Sequence, residues 1–408
     1  MRIAIIGKNF SGLRKYMAEK NVDFVLFKDS TQNHADTDTN TKHVDFSKKE
    51  LVFDAVAHEH EKNPFDATVT LYEQYILITA EIAEKLSING LPVDAARACT
   101  NKSIMRTLFA NAPRKISPQF QVVESESDLK AFANTHSFPL ILKPANLAKS
   151  LLVTRNNTVE ELLRTYKKML EKIEPVYQKY APHNERIVLV EEFLEGSIHS
   201  VDAFVDGKGN PTVLPHIVDY QTGYDIGYDD NFHYSRILPS KLSSDTQKDF
   251  IETAEIAIKS LGMKNCAAHV EIIVTEDGPR VVEIGARNGG YRERMHKLAQ
   301  GIDIYDNLFL AITDSTLDIA AKKDEPCAVL ELFPKKTGVF SHVENEESLR
   351  SLPSLNYISI KYKPGDIAGK SADGYKAACV ICLHNEDAKQ FENDLEFVNS
   401  QVFVVTQS

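Results

Sequence analysis

The sequence predicts an α/β domain followed by α+β structure, arranged in three parts. Three observations carry this. Residues 1–98 alternate strand-sized apolar runs with helical stretches, as a parallel sheet covered by helices requires. From there to about residue 312, capped amphipathic helices are interleaved with paired apolar runs that read as hairpins. Beyond about Ala311 the pattern changes to short strands and turns. At 408 residues the chain is too long for one ordinary core, which agrees with two or three domains.

In the first part, RIAIIG is a buried strand, Leu13 to Asn21 a helix, VDFVLF and FDATVTL further strands, and Ile76 to Leu86 a helix. GKNFSG after the first strand reads as a plain tight turn. It is not GxGxxG, and Leu13 stands where a phosphate-binding loop needs lysine. Glu73, in TLYEQY, falls at the carboxyl end of a strand. Open α/β sheets bind ligands at that edge, although a cap or surface role accounts for Glu73 equally well.

The second part opens with Thr100 as the expected N-cap of a helix through Ala110, stopped near Pro113. Lys102 sits in its first turn, where the helix dipole disfavours a cation, which hints at a task. PLILKP is an apolar strand ending in Lys143, whose ammonium can meet a ligand phosphate or simply snorkel to water. Thr158-Val-Glu-Glu161 is a capping box opening a helix with Leu162, Leu163, Tyr166 and Leu170 on its apolar face. IVLVEEFLEG is a strand ending in the pair Glu191 and Glu192, with Gly196 as a turn. Peptide groups past such an edge can read a planar base, while one carboxylate accepts from an amino group. VDAFVDGKGNPTVL is a hairpin turning at Asp206 to Pro211. Residues 219–236, DYQTGYDIGYDDNFHYSR, are expected as a long functional loop. Its Tyr224, Tyr228 and His233, with Tyr291, are candidates for a pocket lining. Ser244-Asp-Thr-Gln247 is expected to cap a helix with Phe250, Ala254, Ala257 and Leu261 inward and Gly262 as its stop.

The most informative stretch is CAAHVEIIVTEDGPRVVEIGARNGG, from Cys266 to Gly290. Val270, Ile272 and Val274 alternate with His269, Glu271 and Ile273, as a strand with one core face does. A three-residue turn Glu276-Asp277-Gly278 would set Glu271 opposite Glu283 and His269 opposite Gly285. Two like charges face to face weaken a sheet, so a cation is expected there. Mg²⁺ fits, because hard ions take carboxylate oxygens and bridge to phosphates. A solvated outer hairpin face is the plain alternative. Arg287 follows just past the second strand.

The third part contains AVLELFP, TGVFSHV, YISIKY and AACVICL, a helix around Asp387 to Asp394, and a final strand QVFVV. Cys379 and Cys382 form a CxxC inside an apolar run, with no second pair to make a zinc site. The five dispersed cysteines read as buried thiols of a reducing compartment, so a cytoplasmic protein is expected. The formal charge of −11 argues against general nucleic-acid binding. No window approaches a membrane span, and no signal peptide is visible.

Taken in order, Thr100-Asn-Lys102, FPLILKP, VLVEEFLEG, and HVE followed by VVEIGARNGG resemble the ATP-grasp superfamily of carboxylate–amine ligases. Within it the chain resembles the L-amino-acid ligases that make dipeptides and their carnosine-synthase-like relatives. The resemblance implies an ATP-grasp fold with a Rossmann-like (biotin-carboxylase-like) N-terminal domain at 1–98. An ATP-grasp domain at 99–312 would hold a lid subdomain at about 115–190 beside the nucleotide-binding subdomain. A small C-terminal mixed α/β domain would occupy 313–408.

The resemblance also implies ATP and Mg²⁺ (or Mn²⁺). Lys102, Lys143 and Ser150 would meet the phosphates, and Glu191, Glu192, Phe193 and Leu194 the adenine. Glu271 and Glu283 would hold the metal. Arg287 would stabilise the oxyanion formed when an amine attacks an acyl phosphate. His269 would orient the acyl group or accept a proton. Asn288, Gly289 and Gly290 would let backbone N–H groups approach the substrate carboxylate, Arg287 and Tyr291 would also bind the substrate, and Glu73 would hold an ammonium. The partners implied are an amino acid or related carboxylate and an amine, and a homodimer is the general expectation. Three departures stand out. ANLAKS replaces a glycine-rich loop and keeps only Ser150, Ile198 replaces a ribose-binding glutamate, and Gly285 replaces a third metal ligand. A bicarbonate-using carboxylase and an inactive nucleotide-binding module remain as alternatives. The missing dinucleotide fingerprint disfavours hydride transfer.

Overall fold

The computed structural model describes all residues except 9–10, 31–39, 148–150, 182–183 and 408. The N-terminal part is built on β1 (Arg2–Gly7), β2 (Asp23–Asp29), β3 (Thr41–Val44) and β4 (Ala67–Val69). Their order is β3-β2-β1-β4, with every pairing parallel. Ile3, Ala4, Ile5 and Ile6 are all buried, because helices cover both faces. The helices are α1 (Ser11–Glu19), α2 (Lys49–Lys62) and α3 (Ile76–Leu86). The sequence reading did not isolate β3 or α2. Only Val52 and Val56 of α2 are buried, so its apolar stripe is too thin to show in the pattern. Gly7 ends β1 at φ +118°, and a Cβ there would lie 2.2 Å from the Tyr75 ring. The turn is therefore fixed by close packing.

Helices α4 (Val93–Thr100) and α5 (Lys102–Ala110) lead out of this part. Thr100 closes α4, so the expected cap moves one residue. Asn101 is the N-cap of α5, its side chain accepting from the Ser103 amide at 2.9 Å. The next unit is a four-stranded antiparallel sheet with two covering helices. It contains β5 (Phe120–Val123), α6 (Glu126–Thr135), β6 (Leu140–Pro144), β7 (Thr154–Asn156), α7 (Val159–Tyr180) and β8 (Val188–Glu192). The strand order is β5-β8-β6-β7. Thr158 caps α7 as expected. The buried stripe of α7 is Leu162, Tyr166, Met169, Ile173 and Tyr177, whereas Leu170 lies off that face and is 48% exposed.

The largest sheet holds nine strands among the described residues. Its order is β14-β13-β9-β11-β12-β15-β19-β17, with β10 beside β9. The ranges are β9 (Ser197–Val205), β10 (Pro211–Val213), β11 (Val218–Thr222), β12 (His233–Leu238), β13 (Cys266–Thr275), β14 (Gly278–Gly285), β15 (Cys327–Leu332), β17 (Leu355–Ile360) and β19 (Cys379–His384). Residues 219–236 are thus not one long loop. Tyr220, Phe232 and Tyr234 are buried, and the interspersed aspartates and glycines had hidden two strands. Helix α8 (Ser244–Ser260) is capped by Ser243, one residue before the expected position, and Gly262 follows it at φ +65°. Helices α9 (Arg292–Ala299) and α10 (Ile304–Ile312) follow β14. A small sheet orders β18 (Ile367–Ala368), β16 (Gly338–Val343) and β20 (Val404–Gln407), beside α11 (Glu346–Arg350) and α12 (Ala388–Gln401).

Two features of this arrangement position the site. The pairing of β12 with β15 carries the large sheet across the expected boundary at 312/313. One apolar core runs from Ile3, Ile5 and Leu26 through Met105 to Phe204, Val270 and Leu308. It fixes the carboxyl ends of the N-terminal strands against β13 and β14. Replacing Gly7 with alanine should lower stability by about 2 kcal/mol or more, because it adds both backbone strain and a clash with Tyr75. The midpoint of urea unfolding measures this.

Candidate active site

The hairpin of β13 and β14 sets Glu271 opposite Glu283 and His269 opposite Gly285, as the sequence predicts. The route to that register differs. The turn has two residues, Glu276 and Asp277, with Thr275 paired to Gly278. Ile272 pairs with Val281 and Glu271 with Glu283, so Val282 is an extra, bulged residue. The bulge restores the offset that a three-residue turn would have supplied. It also frees the Val282 carbonyl, which accepts from Nη2 of Arg106 at 2.8 Å.

The repulsion between the two glutamates is relieved by cations of the chain. Lys102 Nζ stands 2.9 Å from Glu283 Oε2 and donates to the Leu147 carbonyl at 3.3 Å. His269 Nε2 lies 3.5 Å from Glu271 Oε1. Arg287 Nε donates to Glu73 Oε2 at 3.0 Å, joining the loop after β14 to the carboxyl edge of the N-terminal sheet. Burial raises the Glu73 carboxyl above its usual range, against the pull of Arg287. A Cβ on Gly285 would lie 3.1 Å from Glu73 Oε2 and 3.5 Å from Arg287 Cζ. The bare position at 285 leaves room for this pair.

Asp202, on β9, is fully buried behind this face. Its Oδ1 accepts from the Gly289 amide at 2.8 Å and meets His269 Nδ1 at 3.2 Å, and its Oδ2 lies 3.3 Å from Arg292 Nε. Burial opposes its charge, yet His269, with His296 and Arg292, holds the carboxyl well below the usual range. For His269 burial works the other way, and Asp202 overrides it, pushing the imidazole up to about 10. The charged imidazole is a donor, which favours the orienting role expected of His269 over acceptance of a proton. Gly289 is needed for proximity, since a Cβ would lie 2.5 Å from the His269 ring. Its amide is taken by Asp202 and is not available to a substrate carboxylate. Tyr291, at φ +65°, gives its hydroxyl to Glu331 at 2.8 Å and is likewise committed. Asn288 keeps both side-chain polar atoms buried without a partner, and Gly290 is exposed.

The smaller sheet contributes Lys143, whose Nζ is 2.6 Å from Glu191 Oε2. Burial pushes this lysine down to about 8. Burial would raise Glu191, but Arg106 first and Lys143 second hold it low. Glu191 is therefore not a free acceptor for an amino group. Its strand also lies between β5 and β6, pairing Glu191 with both Phe120 and Ile141. The Glu192 amide donates to the Gln119 carbonyl at 3.1 Å, and its carboxylate meets Lys115 at 3.2 Å. The backbone that a base edge could read begins at Phe193 and Leu194, not at Glu191. Arg155 covers the Phe193 ring at 4.3 Å. Ser150 lies outside the described residues.

The remaining candidates do not converge. His199, next to Ile198, is held by Asp219 and Ser197 at 2.7 Å each, so it does not replace a ribose ligand. Tyr228 gives its hydroxyl to the Phe333 carbonyl at 3.2 Å, and Tyr224 is 61% exposed. The His233 ring lies tilted against Tyr220, with centroids 4.3 Å apart. Cys99, Cys266, Cys327, Cys379 and Cys382 are buried and free, as expected.

A divalent ion suits the donor set. Glu271 and Glu283 offer adjacent hard oxygens, and the unpartnered Asn288 amide is a further oxygen donor in the following loop. Among the described residues no group of three or more His, Cys, Asp or Glu forms a protein-only cage. Two carboxylates suffice for Mg²⁺ only when phosphate oxygens and water complete its shell. The sequence reading missed Arg106, Asp202 and Arg292. For Asp202 a signal existed, a lone acid inside the apolar run SVDAFV, where an unpaired carboxylate is too costly to bury.

The ATP-grasp domain family matches residues 136–293. Alanine–anticapsin ligase of Bacillus subtilis is 28% identical over 292 residues, covering 66% of this chain and 60% of that protein. Phosphoribosylamine–glycine ligase of Methanocella arvoryzae is 28% identical over 263 residues, covering 59% and 57%. The chain thus spans about 60% of the length of these curated relatives. The crystal structure of L-amino acid ligase from Bacillus licheniformis superposes with a TM-score of 0.80 at 20% identity, covering 100% of this chain and 99% of that one. The fold is the ATP-grasp fold.

The imidazole nitrogens of His269 should report a cation by NMR at pH 8 and titrate near 10. In Asp202→Asn that midpoint should fall by at least about two pH units. Because the folded value lies above the ordinary 6.5, the stabilisation from the His269–Asp202 pair is complete below that pH and lost as pH rises through about 10.

Proposed function

We propose that this ATP-grasp chain is an ATP- and Mg²⁺-dependent ligase. It activates the carboxylate of an amino acid as an acyl phosphate and joins it to an amine, releasing ADP and phosphate. The observation that carries this reading is the Glu73–Arg287 pair beside the two facing glutamates. An incoming carboxylate that takes Arg287 strips Glu73 of its counterion in a largely enclosed place. An amino acid brings its own ammonium and repairs that loss, whereas bicarbonate cannot. The names of two similar proteins, alanine–anticapsin ligase and L-amino acid ligase, support the same substrate class.

Residue roles follow from charge and position. Lys102 and Lys143 would hold phosphate oxygens, and Glu271 and Glu283 would hold the metal, with the buried, unpartnered Asn288 amide in the loop that follows β14. Bound Mg²⁺ neutralises charge between the phosphates. The substrate carboxylate oxygen forms its bond to the γ-phosphorus as the bond to ADP breaks. The amine nitrogen then adds to the acyl carbon to give a tetrahedral oxyanion, which collapses to the amide as the carbon–oxygen bond to phosphate breaks and the departing phosphate carries off the amine proton. Arg287 meets the oxyanion that exists only in that second step, which is where binding energy accelerates a reaction. His269, as a cation, donates to the acyl oxygen and does not serve as the base. Phe193 and Leu194 offer the free backbone for adenine. No described helix is long and apolar enough to cross a membrane. The buried free thiols suit a reducing cytoplasm.

Phosphate release from ATP and Mg²⁺ with single and paired amino acids tests the reaction. Release that needs both a carboxylate and an amine is expected. Release driven by bicarbonate, or ATP binding without turnover, would replace this reading with a carboxylase or an inactive module. Arg287→Ala should bind ATP within about twofold of the parent and lose at least about 100-fold in product formation. Since burial brings Lys143 down to about 8, kcat/KM for ATP should decline as pH rises through that value.

A further inference from the structure

Arg106 is a guanidinium 1% exposed in the middle of α5. It lies one turn after Lys102, on the same helix face. Its Nε donates to Glu191 Oε1 at 3.0 Å and its Nη2 reaches Glu191 Oε2 at 3.4 Å. That same Nη2 donates to the Val282 carbonyl at 2.8 Å. Glu191 in turn holds Lys143 at 2.6 Å, and Val282 precedes Glu283. One side chain therefore touches both sheets that face the nucleotide cleft, one contact short of a phosphate-binding lysine on one side and of a metal carboxylate on the other.

We propose that Arg106 is a positioning residue of the ATP site, a strut that fixes the separation of Lys143 and Glu283 by holding Glu191 and the bulged Val282 carbonyl together. The inference rests on the nucleotide reading of those two residues, not on the identity of the acceptor. Its planar fork suits the task. Several N–H groups in a fixed plane can serve a carboxylate and a carbonyl at once, whereas an ammonium is a point charge on a flexible stem. A buried arginine needs such partners, and here they lie on two different elements. The β-bulge gains a purpose as well, because it turns a ladder carbonyl out to meet the guanidinium. Arg106 touches neither phosphate nor metal in this scheme and acts through its neighbours.

Calorimetric titration of the full chain with Mg²⁺ and ATP reads the strut directly and does not depend on turnover. Arg106→Gln should weaken Mg²⁺–ATP binding about tenfold or more, since hydrogen bonds to charged groups are lost on both sides. KM for the amino-acid substrates should stay within about twofold, a split that general loss of structure would not produce. Arg106→Lys keeps the charge but reaches one partner at a time, so it should fold and bind with an intermediate loss. A folded Arg106→Gln with affinity within about twofold of the parent would overturn the proposal. If that variant does not fold, parental affinity in Arg106→Lys would overturn it. Failure of the parent to bind ATP would instead remove the nucleotide reading itself.

Discussion

The carboxylate of Asp202 is the constraint on which the site depends. A fully buried carboxylate stays charged only if its surroundings are built to keep it so. Here they are a histidine from β13, an arginine from α9 and an amide from the loop after β14. Three separate elements are thereby held to the middle of β9. Because Asp202 keeps His269 charged, His269 can hold Glu271. Because it anchors the Gly289 amide, the loop that carries Arg287 and Asn288 leaves β14 at a set angle. A strand in the core thus fixes the positions of residues at the cleft.

A second organising element is the face of α5. Lys102 and Arg106 meet Glu283, Glu191 and the Val282 carbonyl from one helix. Among the described residues, Lys102, Arg106, Lys143 and Arg287 are each paired with a carboxylate of the chain. Ligand binding is then an exchange of partners and not the filling of an unpaired charge. Such an exchange costs less than stripping water from isolated ions, and it ties metal and nucleotide binding together. In the proposed reading, a metal held by Glu283 would leave Lys102, its present partner, free to meet phosphate.

Much of this was legible in the chain. Regular alternation exposed β13 and continuous apolar runs exposed β1, β2 and β4, and the facing of Glu271 and Glu283 followed from the hairpin of β13 and β14. The turn length was misjudged by one residue, and the bulge at Val282 cancelled the error. No local pattern announces a bulge, because its partner lies in α5, far away in sequence. The strands at 218–238 were obscured by glycines and aspartates whose backbones are satisfied only in the assembled sheet. The commitments of Gly289, Glu191 and Tyr291 were equally hidden. Each depends on a partner brought near by the tertiary fold, and a motif records the residue without that neighbour.

The pairing of β12 with β15 has a practical meaning for anyone cutting the gene. A fragment ending near residue 312 would retain the nucleotide motifs but strip the ladder from Ser235 to Leu238 of its neighbour. Those peptide groups would become a raw edge beside apolar side chains, a template for self-association. The tail is thus better regarded as the selvedge of the large sheet, and trimming it would leave that sheet to fray from β12.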